Sequence, residues 1–556
     1  MTSQPGFSDL HDHSSNSTFS QQSVVFVLFV RCIIFILATY ALYALYPRRY
    51  LLILILGFGK LFSDLIQKPK VLNQSIRNIL LRLGVDVRSW DMTPESPGSF
   101  QRLSRMLKSL SLGRFGIADR KDVNEYLVSK YAAFQKPLWF IVSLEYISPH
   151  SIFTYNGQLH REKRRMIVRS LASKFYSKLV AVSWSKTQLL NSQLMRRLHA
   201  TTTQSSVIEL SSWTYRFITD VSGESLFDYD CGLLADGGEK SDLLHLHLSQ
   251  TEGSSLLEFV CHRLLVTFLP FHWIYKLPIA EIKMQEFGKK CLFEFSRKVR
   301  TKRQLKRNEA GQVEDTDAMP DFLDTVFNGS QSSDEIDGHI ITMITASSHT
   351  LTSTMTFALH YLASNLSVQR KLREEIYNYI PDPAIELTPN HLRSMTYLNA
   401  VFSEVLRLEP AARSIPRIAV RDADIGNMHV LAGEELLAPV RSIHRREDVW
   451  GEDAQEFRPE RWIDDISGRG GATDKTSFMP FSHGPRSCVG REYAMNEGKI
   501  FLVGLVGAFE LELVDGHREL RYTLPTPLNM LSYVRTIKGR LHLKLQPVEG
   551  KWAPSA

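Results

Sequence analysis

One cysteine carries the strongest chemical signal in the chain. Residues Phe481 to Gly490 read FSHGPRSCVG, which sets Cys488 in a glycine-rich, basic loop directly ahead of an apolar stretch running from about Arg491 to about Phe509. A thiolate at a helix N-terminus is stabilised by the free N–H groups and the positive end of the helix dipole there, and Arg486 nearby adds to that. Gly484 and Gly490 lack a Cβ, so they permit a tight backbone and the close approach of a flat cofactor. This context suits Cys488 to be an anionic metal ligand, against the competing reading of a small buried hydrophobe. Cys32, Cys231, Cys261 and Cys291 are scattered with no CxxC pair, which argues against both a zinc site and a disulfide framework.

Three further groups lie upstream. Glu404 and Arg407 sit one helical turn apart and can pair. Glu162/Arg165 and Glu294/Arg297 share that spacing, but Glu404–Arg407 stands about eighty residues before Cys488 and is followed by FRPERW, Phe457 to Trp462. The run GQLHREKRR from Gly157 to Arg165 reads alone as a solvated helix face. Ala346-Ser347-Ser348-His349-Thr350 places small and hydroxyl side chains in mid-helix, where Ser and Thr compete for backbone carbonyls and are expected to loosen the ladder. Its plainer reading is a Ser/Thr-rich buried helix with a satisfied histidine.

Phe481, Gly484, Arg486, Cys488 and Gly490 resemble, at all five positions, the haem-binding loop FxxGxRxCxG of the cytochrome P450 superfamily. In that family a cysteine thiolate holds the iron of haem b and pushes electron density toward O–O cleavage. The resemblance covers about residues 70 to 545. It implies that Glu404, Arg407 and Arg461 form a structural triad behind the haem, and that Arg417 and Arg164 contact haem propionates, a task suited to guanidinium. His160 stands where the family usually has Trp and would also face the cofactor. The Ala346 to Thr350 segment resembles the oxygen-activation motif, with Ser for Gly and His349 for the usual acid. Thr350 would hydrogen-bond bound oxygen and relay a proton, and His349, titrating near neutrality, would serve the proton path. Some fungal members that oxidise diterpenes are similar in having His before this Thr.

The elements that must position these groups read as mainly α with small β-sheets, the cytochrome P450 fold preceded by one transmembrane helix. Helical periodicity is expected over Asp122 to Phe134, Asn191 to His199, Trp213 to Phe227 and Leu256 to Leu269. A long helix capped by Ser333 or Asp334 should run to about Ser364. Loops fit Glu309 to Ala318 and Gly329 to Asp334, and hairpins fit Arg417 to Val440 around Gly426 and Gly433. Residues 1–22 form a polar tail without Lys or Arg, with a glycosylation sequon at Asn16. Residues 23–46 are apolar with one charge, long enough to span a bilayer at 1.5 Å per residue. Arg48, Arg49, Lys60, Lys68 and Lys70 follow, so the tail is expected in the lumen and the remainder in the cytosol. Residues 47–69 form an interfacial segment with a second apolar run, Tyr50 to Phe58, and residues 70–556 the catalytic domain.

Across 556 residues, 66 Lys and Arg against 59 Asp and Glu leave a formal charge of +7. This mild excess lacks the stripes of a nucleic-acid binder. The expectation is an endoplasmic-reticulum monooxygenase, EC 1.14 class, that hydroxylates an apolar molecule such as a terpenoid or other specialised metabolite with O2. No GxGxxG unit is visible in the sequence, so electrons from NADPH would arrive through a separate flavoprotein reductase. Two alternatives stay open: a reductase-independent haem-thiolate isomerase or dehydratase, and a non-catalytic membrane haem- or sterol-binding protein.

Overall fold

A computed structural model describes residues 115–553, except 118, 172, 201–205, 252–279, 310–320, 331, 466–469, 473–475, 515–533, 535–536 and 538–539. The segments 1–22, 23–46 and 47–69, and the helix expected over Leu256 to Leu269, lie outside the described residues. Among the described residues, no helix is long and apolar enough to cross a membrane.

The helices that frame the site are α1 (Gly157–Ser170), α2 (Ser173–Ala200), α3 (Leu210–Phe227), α4 (Asp242–Thr251), α5 (Ser333–Ser364), α6 (Thr396–Leu408) and α7 (Arg491–Ala508). The expected Asn191 to His199 and Trp213 to Phe227 helices are parts of α2 and α3. Ser332 caps α5, its side chain accepting from the Glu335 N–H, one residue before the expected cap. Helix α7 packs along α2, and α5 lies on α3. A Cβ at Gly504 would fall 1.8 Å from the Thr187 methyl, so glycine lets α7 and α2 approach closely. Leu351, Phe357, Phe402, Phe501 and Leu505 are buried in the shared core.

Strands gather late in the chain, as the turn residues imply. One sheet orders β1 (Phe115–Gly116), β7 (Glu435–Ala438), β4 (Ile415–Ala419) and β2 (Phe134–Gln135). Strand β7 is antiparallel to β4, with Arg417 opposite Leu436, and β4 is antiparallel to β2, with Gln135 opposite Ile418. The expected hairpin texture appears as β5 (Ala423–Ile425) paired with β6 (Met428–Val430), turning at Gly426, whose φ is +53°.

Asp122 to Phe134 is not the single helix its periodicity predicts. One α-turn, Arg120–Asn124, passes into a wider turn, Glu125–Ser129, and a 3-10 turn, Tyr131–Ala133. Tertiary pairing overrides the local pattern: Phe134 joins β4, and the Tyr126 hydroxyl donates to the carbonyls of Ile415 and Leu436. In α5 the expected competition for carbonyls is present, without a break in the helix. Thr345, Ser347 and Thr350 donate to the carbonyls of Ile341, Met343 and Ala346, and the backbone stays helical throughout.

Behind the Cys488 loop, one sealed carboxylate ties three segments together. Arg407 donates to both oxygens of Glu404 at 2.8 and 2.7 Å. Arg461 Nε, the Arg458 N–H and Trp462 Nε1 bind the same carboxylate at 3.0, 3.0 and 2.9 Å. Arg407 also donates to the carbonyls of His444, Ala454 and Glu456. Breaking a buried pair strands its partner's charge, so Arg407→Met should cost roughly 3–5 kcal/mol. Lys371→Ala, at the exposed pair with Glu460, should leave the midpoint almost unchanged, because solvent screens an exposed pair. Urea unfolding midpoints of both variants check the contrast.

Candidate functional site

The Cys488 loop is built by backbone constraints. Gly484 has φ +77°, and a Cβ there would lie 2.3 Å from the Leu127 carbonyl oxygen, so only glycine fits the turn. The Cys488 N–H donates to the Phe481 carbonyl at 2.8 Å and the Ser487 N–H to Gly484. Gly490 has an ordinary negative φ. A Cβ there would meet only Cys488 Sγ, at 3.9 Å, so glycine clears space in front of the sulfur rather than shaping the backbone.

His444 joins this loop to the buried triad. Its Nδ1–H donates to the Arg407 carbonyl at 3.2 Å, and its Nε2 accepts the Met479 N–H at 2.9 Å. A main-chain carbonyl and a main-chain N–H leave one possible arrangement, a neutral ring with its proton on Nδ1. Burial accordingly pushes its pKa down to about 3. No sequence spacing pointed to His444; a histidine thirty-seven residues past Arg407 carries no local signal.

Cys488 is exposed, yet protein surrounds it densely enough for burial to push its thiol pKa up. Both hold for a side chain that borders an internal cleft rather than the outer surface. Arg164, on α1, donates to the Ser487 carbonyl at 2.5 Å and to its hydroxyl at 3.2 Å, and its charge lowers the thiol pKa. Hydrogen bonds from the Gly490 backbone act in the same direction. Tyr176, on α2, lies near enough to feel the thiolate.

Cations converge beside this cleft. Register places Lys136 one residue beyond the Gln135–Ile418 pair, next to Arg417. Lys136 donates to the carbonyls of Ile152 and Tyr155 at 2.8 Å, Arg417 to that of Pro416, and Arg486 to Asn156 Oδ1 at 3.3 Å. Burial, with Arg486 and Arg417 nearby, holds the Lys136 ammonium well below the usual lysine range. Burial and Arg417 push Arg486 down to about 10, and burial with Lys136, Arg486, Arg164 and Arg417 pushes His160 down to about 3. None of these five makes an ion pair with a carboxylate among the described residues. Like charges crowded without a counter-ion fit a ligand that brings its own anions, as a haem brings two carboxylates, next to a sulfur donor suited to iron. Sequence reasoning missed Lys136, whose place in the cluster comes from strand pairing.

The α5 residues divide between two faces. Ala346 and Thr350, four apart, are partly exposed, while Ser348 and His349 are buried. Thr350 Oγ1 donates to the Ala346 carbonyl at 2.6 Å, so its lone pairs are what it presents outward. His349 turns instead toward His247 on α4, Nδ1 to Nδ1 at 3.4 Å. Burial pushes its pKa down to about 4, so it is neutral at pH 7 and does not titrate near neutrality as its residue type suggested.

Residues 107–533 match the family model described as Cytochrome P450. The chain is 26% identical to the cytochrome P450 monooxygenase sphH of Aspergillus fumigatus, over 74% of this chain and 76% of that one. It is 24% identical to the cytochrome P450 monooxygenase FSL4 of Gibberella zeae, over 83% and 85%. With buaD of Petromyces alliaceus, another cytochrome P450 monooxygenase, identity is 26% over 70% and 72%.

The buried histidines make stability pH-dependent in a stated direction. His160, His339, His349 and His444 have folded pKa values of about 3 to 4, below the ordinary 6.5. Between those limits the unfolded chain binds more protons, so stability falls as pH drops from about 6.5 toward 4. Each contributes a slope of about 1.4 kcal/mol per pH unit. Both ring nitrogens of His339 are buried, with Nε2 3.8 Å from a Glu335 oxygen whose charge only partly offsets the burial. His339→Leu should therefore flatten the dependence of melting temperature on pH from 7 to 4.5, whereas a slope equal to wild type would remove His339 from the set.

Proposed function

The chain belongs to the cytochrome P450 family, an oxidoreductase of its monooxygenase class, and on that premise we propose that it hydroxylates an apolar small molecule at the Cys488 cleft. The observation that carries this reading is a cleft-facing cysteine beside one lysine and three arginines, Lys136, Arg164, Arg417 and Arg486, that have no carboxylate partner among the described residues, with the neutral ring of His160 among them. When bound, a haem b held by the Cys488 thiolate would supply the iron that activates O2, so that RH, O2, two electrons and two protons give ROH and water.

In this reading the protein's side chains do the following work. Lys136, His160, Arg417 and Arg486 hold the two propionates, which relieves their mutual repulsion and couples cofactor binding to stability. Arg164 and the Gly490 backbone favour the ionised sulfur and offset part of the burial that pushes its pKa up. Phe481 packs against the helical core, and Gly484 and Gly490 leave the space the ring needs. Glu404, Arg407 and Arg461 keep the loop in place and take no part in the chemistry. Thr350 Oγ1, its own proton committed to Ala346, accepts a hydrogen bond from an incoming donor on the partly exposed face of α5 and holds that proton in line for transfer. Ala346 on the same face leaves room beside it.

The substrate class we favour is a terpenoid or other specialised metabolite. The segment 23–46 would anchor the chain in the endoplasmic reticulum membrane with the catalytic part in the cytosol, where apolar substrates partition. Electrons would come from NADPH through a separate flavoprotein reductase.

Two measurements test this. Cys488→Ser should lose the band near ~450 nm in the CO-difference spectrum of the reduced protein, since a neutral hydroxyl is a poor iron ligand; a normal band would overturn the assignment. Thr350→Ala should keep that band but lower product formed per NADPH, with peroxide rising in its place. The loss of a positioned proton group typically costs about 10²- to 10⁴-fold in rate. Unchanged coupling would leave Thr350 a packing residue.

A further inference from the structure

His349 does not stand alone. On α4, His247 is buried and brings its Nδ1 to 3.4 Å from Nδ1 of His349. The two rings are tilted by 36° at 5.4 Å. Tyr215, on α3, stacks on His247 with centroids 4.0 Å apart and planes within 8°, and also lies 5.7 Å from His349. Three helices thus clamp one pair of imidazoles. The other nitrogen of His247, Nε2, is sealed from water and has no hydrogen-bond partner.

That sealed nitrogen decides which way the shared bond runs. Both rings are neutral, because burial holds His247 far below and His349 at about 4. Each therefore carries one proton, and only one can lie between the facing Nδ1 atoms. If His349 donated, His247 would keep its proton on Nε2, an N–H sealed with nothing to donate to. Buried N–H groups left unpaired are the rarer and costlier fault. If His247 donates, its Nε2 carries only a lone pair, and His349 accepts at Nδ1 and keeps its proton on Nε2.

We propose that His247 is a positioning residue that acts through His349: its Nδ1–H donates to Nδ1 of His349 and so holds His349 as the tautomer whose Nε2–H is a proton donor. This rests on the reading of α5 as the helix that delivers protons, and adds that the replacement of an acid by His349 is completed by a second histidine on another helix. A single imidazole would interconvert between tautomers. The clamped pair has one arrangement, so the donor nitrogen is set before a proton is needed. Second-sphere partners that set a ring's tautomer typically matter by about 10- to 100-fold.

The test uses the full-length chain labelled with ¹⁵N-histidine in detergent, with His349 assigned by the signal lost in His349→Asn. In wild type His349 should show a bare Nδ1 and a protonated Nε2, with or without haem; a proton on Nδ1 overturns the proposal. His247→Asn keeps an amide N–H near the Nδ1 position and should preserve the His349 tautomer and the product formed per NADPH. His247→Phe keeps the stack on Tyr215 without nitrogens; it should mix the two tautomers and lower product per NADPH about tenfold. Unchanged coupling in His247→Phe with the haem band intact overturns the positioning role alone. Loss of the assignment of Cys488 would overturn the proposed function and leave the tautomer measurement standing. If His247→Phe fails to fold, the wild-type spectrum and His247→Asn still decide, since the tautomer is read directly.

Discussion

The architecture depends on one carboxylate that has no contact with water. Glu404 is fully buried and accepts five hydrogen bonds, two from Arg407 and one each from Arg461, the Arg458 backbone and Trp462. A lone buried carboxylate would be too costly to keep ionised, and two guanidiniums with an indole and an amide make the arrangement tolerable only if all arrive together. That requirement is what gathers α6 and the segment from His444 to Trp462 into one position. The carbonyls of His444, Ala454 and Glu456 are held by the same Arg407, so backbone that forms no regular ladder still has its acceptors satisfied.

From this anchor the constraint passes to the cysteine loop through His444. One ring accepts from Met479 and donates to Arg407, so the loop that begins two residues later starts from a rigid point. The loop then turns at Gly484 and delivers Cys488 to the start of α7, whose glycine-lined packing on α2 sets its height. Rigidity here contrasts with unrelieved strain on the other side of the cleft. Lys136, His160, Arg164, Arg417 and Arg486 are brought together without an acid, an arrangement that costs stability in the free chain and stores affinity for a dianionic ligand. Helix α5 separates its duties by face, with Thr350 partly exposed and His349 buried against His247 and Tyr215.

The local patterns that were legible are those in which neighbouring residues supply the physics. The five-position loop around Cys488, the one-turn pair Glu404–Arg407, the start of α5 to within one residue of its cap, and the Gly426 turn of the β5–β6 hairpin depend on contacts a few residues apart. Sequence therefore determined the mainly helical class, the late small sheets and the residues of the cysteine loop. What only the tertiary structure decided involves partners far apart in the chain. Strand pairing across 283 residues places Lys136 beside Arg417 and dissolves the helix expected over Asp122 to Phe134. His444 matters because of what lies on either side of it in space. The neutrality of His349, and its partnership with His247 at a separation of 102 residues, follow from burial between helices. Neither residue type nor spacing encodes that, because desolvation is a property of the packed interior and not of the side chain.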